Sequence, residues 1–226
     1  SHGALVDYLP RGANPATVNI VLTRELNTDT SQVDSTIPAG TIFYDSNGNT
    51  WQNLSDVVWP KYTTQLKLSL SQVELVTNVS IPSTEITNGV DIKVPNTNTT
   101  KHISRVGFTL YVGTDKYTLV DTFANCNSLN DKVYRLYTTT SGTYIKFQLG
   151  HNLPAGKNIT INYYLTLGES GNIQSGSITT VPATVKTLGN NVTVNNPEAS
   201  ADGFTEDNIE VLREVISSFT RTGGKA

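Results

Sequence analysis

The stretch Gln65–Leu75, QLKLSLSQVEL, determines which class of fold this chain belongs to. Leucines stand at positions 66, 68 and 70, and the polar residues Lys67, Ser69 and Ser71 alternate with them. A period of two places the leucines on one face of an extended strand and the polar residues on the other. The stretch therefore predicts a half-buried β-strand, and similar patterns recur along the chain.

Strand-like segments occur in both halves of the sequence. In the first half, residues 16–22 (ATVNIVL) alternate, and Asp45–Asn49 (DSNGN) is typical of a hairpin turn between a strand at Thr41–Tyr44 and a partner from Trp51 onward. The second-half segments are VDIKV (90–94), RVGFTLYVG (105–113), KVYRLYTT (132–139), TYIKFQLG (143–150) and ITINYYLTLG (159–168). Short strands separated by Asn, Thr, Gly and Pro clusters favour an antiparallel sandwich or meander over an α/β sheet.

These patterns predict a mainly β chain of two β-rich modules followed by a C-terminal α-helix. We expect the first module at residues 3–78, the second at 79–195, and a helical segment at 196–226 that begins a further region. The boundary between the modules falls near a polar stretch containing IPSTEITNG. Residues 1–2 are typical of a remnant of a purification tag, and the absence of methionine favours an internal piece of a longer polypeptide.

A proline-alanine-glycine turn occurs twice, at residues 38–40 after an isoleucine and at residues 154–156 after a leucine. We interpret the two as one turn geometry used at two places, because no exact internal repeat accompanies them.

The last segment changes period. Thr205 is a suitable N-cap, and acidic residues follow it at the positive end of a helix dipole. Apolar residues then recur at helical spacing and form one stripe. We expect this stripe and two neighbouring arginines to form a subunit interface, although packing onto the chain's own β module explains the stripe equally well. The predicted interface residues are Ile209, Leu212, Arg213, Ile216, Phe219 and Arg221.

Composition excludes several classes of function. A net charge of −3 provides no positive electrostatic field that would attract nucleic acid, and no apolar run approaches the roughly 20 residues that span a membrane.

The residue types that carry catalysis or bind metals are few and scattered. The single cysteine, Cys126, excludes an internal disulfide. Neither His102 nor His151 has a recognisable catalytic or zinc-binding partner in the sequence, and the spacing of the acidic cluster Glu198, Asp202, Glu206 and Asp207 does not match a calcium loop. We therefore expect no catalytic residue, metal or cofactor.

Three stretches, taken in order, resemble the baseplate wedge proteins of contractile-tailed bacteriophages, the baseplate J-like family. The first is GALVDYLPRGANPATVNIVLT followed by IPAGTIFYDSNGNTW, which resembles the family's tyrosine-proline entry, strand and hairpin. The second is GTYIKFQLGHNLPAGKNITINYYLTLGESGNI, and the third is the terminal stretch ASADGFTEDNIEVLREVISSFTRTGGKA. Residues of about 90–135 are the part least similar to the family.

The resemblance implies a structural protein rather than an enzyme. By this resemblance, the protein would form part of the ring around the hub of the tail baseplate in the virion. It would be synthesised in the host cytoplasm. Its partners would be other wedge subunits and neighbouring copies of itself, held together while the baseplate triggers sheath contraction.

Two other hypotheses remain open at this point. A carbohydrate-binding or adhesin-like β module would require exposed aromatic residues, and the candidates are Trp51, Trp59, Tyr62, Tyr163 and Tyr164. In β domains such residues are more often part of the core. A hydrolase would require a pocket that joins His102 or His151 to a carboxylate.

Overall fold

The computed structural model describes residues 8–26 and 31–205 of the chain. Strands dominate these ranges, so the predicted mainly β class is confirmed. The strands in the described ranges are β1 (Thr17–Glu25), β2 (Ser35–Ile37), β3 (Ile42–Tyr44), β4 (Thr50–Gln52), β5 (Val57–Trp59), β6 (Gln65–Ser71), β7 (Glu74–Ile81), β8 (Ile92–Lys93), β9 (His102–Ile103), β10 (Thr109–Val112), β11 (Asp115–Leu119), β12 (Val133–Thr139), β13 (Gly142–Lys146), β14 (Ile159–Thr166) and β15 (Asn190–Asn195). The helical elements of the same ranges are two short 3-10 helices, Ser83–Glu85 and Gly168–Gly171, and α1 (Ala183–Lys186).

The chain divides into two compact units, and neither is continuous in sequence. Of the described residues, the smaller unit contains 14–26, 31–74 and 166–204, and the larger unit contains 8–13, 75–165 and 205. This division differs from the predicted modules at 3–78 and 79–195, because residues 166–195 belong with the first part of the chain. The physical reason is strand pairing, since β15 forms an antiparallel ladder with β1.

The smaller unit is built on a five-stranded sheet with the order β15-β1-β6-β4-β3, accompanied by the two-stranded ribbon β2-β5. The leucines of the stretch 65–75 pair directly with the apolar positions of β1, as in Val18↔Leu70 and Ile20↔Leu68. These four residues are buried in one hydrophobic cluster with Trp51 and Trp59. The alternation in β6 therefore buries the face that the sequence predicts.

Arg24 interrupts the apolar series on the inner face of β1. It continues the inward alternation of Val18, Ile20 and Leu22, and it is only 4% exposed. Its guanidinium donates from Nε to the Thr63 carbonyl at 2.8 Å. The two terminal nitrogens donate to the carbonyls of Leu188 at 2.6 Å and Pro60 at 3.0 Å.

The environment of Arg24 compensates for the burial of its charge. The guanidinium carbon lies 4.2 Å from the centre of the Trp59 ring, within the range of a cation–π contact. Desolvation by burial lowers the pKa of Arg24 from its ordinary value. Carbonyl oxygens and an aromatic face stabilise the buried cation and connect β1 to the turn at 60–63 and to the segment before β15.

The larger unit has a mixed sheet with the order β7-β14-β10-β11-β12-β13-β8, and β9 also pairs with β14. Most neighbours are antiparallel, whereas β11 and β12 run parallel. Its core is aliphatic and aromatic, with Leu110, Tyr134, Ile145 and Ile161 fully or nearly fully buried. The segment 10–13 also joins this unit, because the Pro10 carbonyl accepts a hydrogen bond from the Thr138 amide.

The two proline-alanine-glycine turns share one geometry, as the sequence predicts. Gly40 and Gly156 both have positive φ, at 84° and 73°. In each turn the residue after the glycine donates its amide to the proline carbonyl, at 3.2 Å for Thr41 and 3.4 Å for Lys157. A positive φ at the third position of the turn favours glycine, which explains its use at both places.

We predict that Arg24→Met destabilises the smaller unit by about 3 kcal/mol, because three carbonyls lose a charged donor. Both tryptophans of the chain lie in this unit, so urea unfolding followed by tryptophan fluorescence reports the change. Arg24→Lys retains the positive charge but lacks the planar guanidinium that reaches three carbonyls. We therefore expect a loss of stability between zero and that of Arg24→Met.

Lys67→Met is the matched control for Arg24→Met, because Lys67 is an exposed cation on the adjacent strand β6. We expect this control to change stability by less than about 0.5 kcal/mol. Equal unfolding midpoints for Arg24→Met and the unchanged chain would contradict the role of Arg24.

Candidate functional site

The predicted interface at the end of the chain lies outside the described residues. Ile209, Leu212, Arg213, Ile216, Phe219 and Arg221 all belong to the range 206–226. The structure describes the chain up to Thr205, the predicted N-cap. The helix and its interface therefore remain predictions.

Most aromatic residues considered for sugar binding lie in the cores of the two units. Trp51 and Trp59 are fully buried, and their indole nitrogens donate to the Asp45 carboxylate at 3.0 Å and to the Thr63 carbonyl at 3.2 Å. Tyr163 is also buried, and its hydroxyl donates to the Pro95 carbonyl. Tyr164 is half-buried and packs over Gly107. Of the five candidates, only Tyr62 has an exposed side chain, which leaves no continuous platform among them.

The two histidines considered for catalysis lie in different settings. His151 is buried, with Nδ1 2.6 Å from the Leu129 carbonyl oxygen and Nε2 3.0 Å from the Tyr117 hydroxyl. A carbonyl oxygen only accepts, so Nδ1 carries the proton and, in the neutral ring, Nε2 accepts from the tyrosine. These contacts hold the 127–131 loop against β11. His102 is half-buried in β9, and it lines a separate cavity with threonine, serine and lysine side chains.

The candidate metal ligands do not assemble in the described part of the chain. No group of three or more His, Cys, Asp or Glu side chains comes together in residues 8–26 and 31–205. Asp202 has a positive φ of 67°, and its main-chain carbonyl accepts a hydrogen bond from the Asn14 side chain at 2.7 Å. The Glu198 carbonyl likewise accepts from Asn196. Cys126 is half-buried and free.

The hairpin β3-β4 presents two apolar side chains on a backbone that is anchored at both ends. Ile42 and Tyr44 are 40% and 54% exposed, and Phe43 between them is fully buried in the core. The strand β3 ends the order of the five-stranded sheet, so within the described residues its second edge meets no other strand. By contrast, the outer face of β6 presents polar side chains such as Lys67 and Ser69.

Asp45 fixes the tip of this hairpin. One carboxylate oxygen accepts from the amides of Asn47 at 2.8 Å and Asn49 at 3.0 Å, and the other accepts from the Trp51 indole. Gly48 donates to the Asp45 carbonyl at 2.9 Å and has a φ of 82°, a conformation that disfavours other residues. The carboxylate therefore connects the turn DSNGN to the buried tryptophan.

Asn53 fixes the other end of the hairpin. It is 1% exposed, and its side-chain oxygen accepts from the Thr41 amide at 3.1 Å. Its side-chain nitrogen donates to the carbonyls of Pro38 at 2.9 Å and Ser55 at 3.0 Å. The turn before β3 and the loop after β4 thus share one buried amide. The hairpin is held at both ends, and Ile42 and Tyr44 are displayed between these two anchors.

A scan of protein-family models found none that matches this chain, and a search of curated proteins found no match either. In the described ranges no helix has both the length and the apolar character needed to cross a membrane.

We predict that Asp45→Ala destabilises the smaller unit by about 3 kcal/mol, because two turn amides and a buried indole lose their acceptor. Tryptophan fluorescence is the measurement, since the Trp51 indole is one of the donors. Ser46→Ala is the matched control within the same turn, because Ser46 is exposed. An equal loss of unfolding free energy in Asp45→Ala and Ser46→Ala would show that Asp45 does not organise the turn.

Proposed function

We propose that this chain is a structural component of the tail baseplate wedge of a contractile-tailed bacteriophage. In this role it forms contacts with other wedge subunits and with neighbouring copies of itself, in the ring around the hub. The observation that carries the proposal is the anchored hairpin β3-β4. Its sequence, IPAGTIFYDSNGNTW, is one of the stretches that resemble the baseplate J-like family, and its outward residues Ile42 and Tyr44 are exposed.

The chemistry of the hairpin suits a protein interface. Interfaces are enriched in aromatic and aliphatic residues at their centres, and a few such residues contribute most of the binding free energy. An unpaired strand edge also offers main-chain donors and acceptors to a strand of a partner. The two anchors, Asp45 and Asn53, hold the backbone in place before binding, which lowers the entropic cost of association.

The terminal stripe remains the second proposed contact. Ile209, Leu212, Ile216 and Phe219 would form its apolar face, with Arg213 and Arg221 as ion-pair partners. Together with the hairpin it would give the chain two surfaces for ring assembly in the virion.

The carbohydrate-binding alternative has less support from the residues considered for it. Trp51, Trp59 and Tyr163 are buried in their cores and cannot stack on a sugar without local unfolding. Among the described residues, the exposed aromatic side chains are Tyr8, Tyr44, Tyr62 and Phe204, and of these only Tyr62 was among the sugar-binding candidates.

The test is sedimentation velocity of the chain alone and mixed with the tail proteins encoded beside its gene. We expect co-sedimentation with at least one of them. Ile42→Ser combined with Tyr44→Ser should weaken that complex about thirtyfold or more, as loss of a central aromatic contact does. Both side chains point outward from β3, so the double variant should retain the stability of the fold.

Val90→Ser is the matched control for the double variant, because Val90 is an exposed aliphatic residue of the larger unit. Val90→Ser should leave the affinity of the complex unchanged. A chain that binds none of its encoded neighbours, and binds immobilised glycans instead, would favour the adhesin-like alternative and overturn the proposal.

A further inference from the structure

Two asparagine–glycine pairs occur in the chain, Asn47-Gly48 and Asn88-Gly89, and both lie in exposed turns. The glycine of each pair has a positive φ, 82° for Gly48 and 83° for Gly89. Because glycine has no Cβ, its main-chain nitrogen can approach the side-chain carbon Cγ of the preceding asparagine without a steric clash. Attack of this nitrogen on Cγ begins the spontaneous deamidation of asparagine. The two pairs have the same chemistry, so the hydrogen bonds around each pair decide its reactivity.

The turn around Asn47 holds the attacking nitrogen in place. The Gly48 amide donates to the Asp45 carbonyl at 2.9 Å, and the Asp45 amide donates to the Asn49 carbonyl at 3.0 Å. The Asp45 carboxylate accepts from the amides of Asn47 at 2.8 Å and Asn49 at 3.0 Å. The Gly48 nitrogen can reach Cγ of Asn47 only if the peptide between them rotates, and that rotation breaks the hydrogen bond of Gly48 and disturbs the others.

The turn at residues 87–90 is held more loosely. Within the described residues, its main-chain hydrogen bond runs from the Val90 amide to the Thr87 carbonyl at 3.1 Å, and the Gly89 amide donates to no protein group. All four residues are exposed, and a Cβ at position 89 would meet no atom within 4 Å. The peptide between Asn88 and Gly89 therefore rotates at a lower cost in hydrogen bonds than the peptide between Asn47 and Gly48.

The side chain of Asn88 is held by a main-chain donor. Its Oδ1 accepts from the Leu153 amide at 3.2 Å. When a nucleophile adds to Cγ, negative charge develops on this oxygen. An N–H group that already points at the oxygen stabilises the developing charge, as the donors of an oxyanion hole do. The Leu153 amide therefore favours attack on Asn88.

We propose that Asn88 is a site of spontaneous deamidation in the folded protein, and that it reacts faster than Asn47. Hydroxide removes the Gly89 amide proton, and the nitrogen forms a bond to Cγ of Asn88. The bond between Cγ and Nδ2 then breaks, the departing nitrogen takes a proton from water, and ammonia leaves. The product of this step is a five-membered succinimide. The inference does not depend on the proposed baseplate function.

Water completes the reaction by opening the succinimide. Cleavage of the bond between the Gly89 nitrogen and Cγ gives aspartate at position 88. Cleavage of the bond between the same nitrogen and the main-chain carbonyl carbon gives isoaspartate, which adds a methylene group to the main chain. Overall, one water is consumed and one ammonia is released. Either product adds one negative charge to the larger unit.

The test is incubation of the folded 226-residue chain in warm, mildly alkaline buffer, followed by proteolysis at acidic pH and mass spectrometry of the peptides. One hydrogen bond shifts a conformational equilibrium by about two- to tenfold, and more of them must break at Asn47. We therefore expect deamidation at Asn88 to be at least about tenfold faster than at Asn47. Equal rates, or a faster reaction at Asn47, would overturn the proposal.

The same incubation in concentrated urea is the control for sequence context. Both turns lose their hydrogen bonds in the unfolded chain, so the two rates should become similar. A tenfold preference for Asn88 that persists in urea would show that the neighbouring residues set the rates. That outcome would overturn the role of the fold.

Matched variants assign the product without peptide mapping. Asn88→Gln and Asn47→Gln each keep a side-chain amide, but attack on glutamine would require a less favourable six-membered ring. On ion exchange, Asn88→Gln should lose most of the acidic form that accumulates first in the unchanged chain, and Asn47→Gln should retain it. The reverse result, or retention of the acidic form in both variants, would overturn the assignment to Asn88.

Discussion

The fold of the smaller unit depends on one constraint, which is that every buried main-chain amide and carbonyl needs a partner. Its turns and loops pass against the core, where water cannot supply one. Four almost fully buried side chains, Asp45, Asn53, Gln72 and Asn196, fill that need. Gln72 accepts from Thr166 and the following amide, and Asn196 connects two amides near residue 177 to two carbonyls. Few formal charges are required, which agrees with the low charged fraction of 15%.

The two buried arginines show how environment decides the role of one residue type. Arg24 is surrounded by three carbonyl acceptors and the face of Trp59, so its hydrogen bonds join loops to a strand. Arg135 lines a cavity of the larger unit with two further arginines. Both occupy positions within strands, Arg24 in β1 and Arg135 in β12. The arrangement of the surrounding strands therefore decides that Arg24 is enclosed by carbonyls whereas Arg135 lines a cavity.

The outward face of the hairpin illustrates the limit of sequence reasoning about the candidate site. The residues IFY at 42–44 are all apolar, and the alternation that marks β6 is absent there. The sequence of those three residues does not predict that Phe43 points inward while Ile42 and Tyr44 point outward. The direction follows from pairing with β4, where Phe43 stands opposite the buried Trp51. The terminal stripe has the opposite character, because its helical period is clear in the sequence and its placement lies outside the described residues.

The sequence by itself determined the local structure. Alternation predicted β6 and β1, and glycine with asparagine or proline predicted the turns at 38–40, 45–49 and 154–156, because both signals act over a few residues. The tertiary structure decided which strands are neighbours. It placed β15 beside β1, more than 160 residues earlier (Leu22↔Val194), and it made β11 and β12 parallel neighbours in a mostly antiparallel sheet. Strand pairing depends on main-chain groups that every residue carries, so the sequence of one strand does not identify its partner.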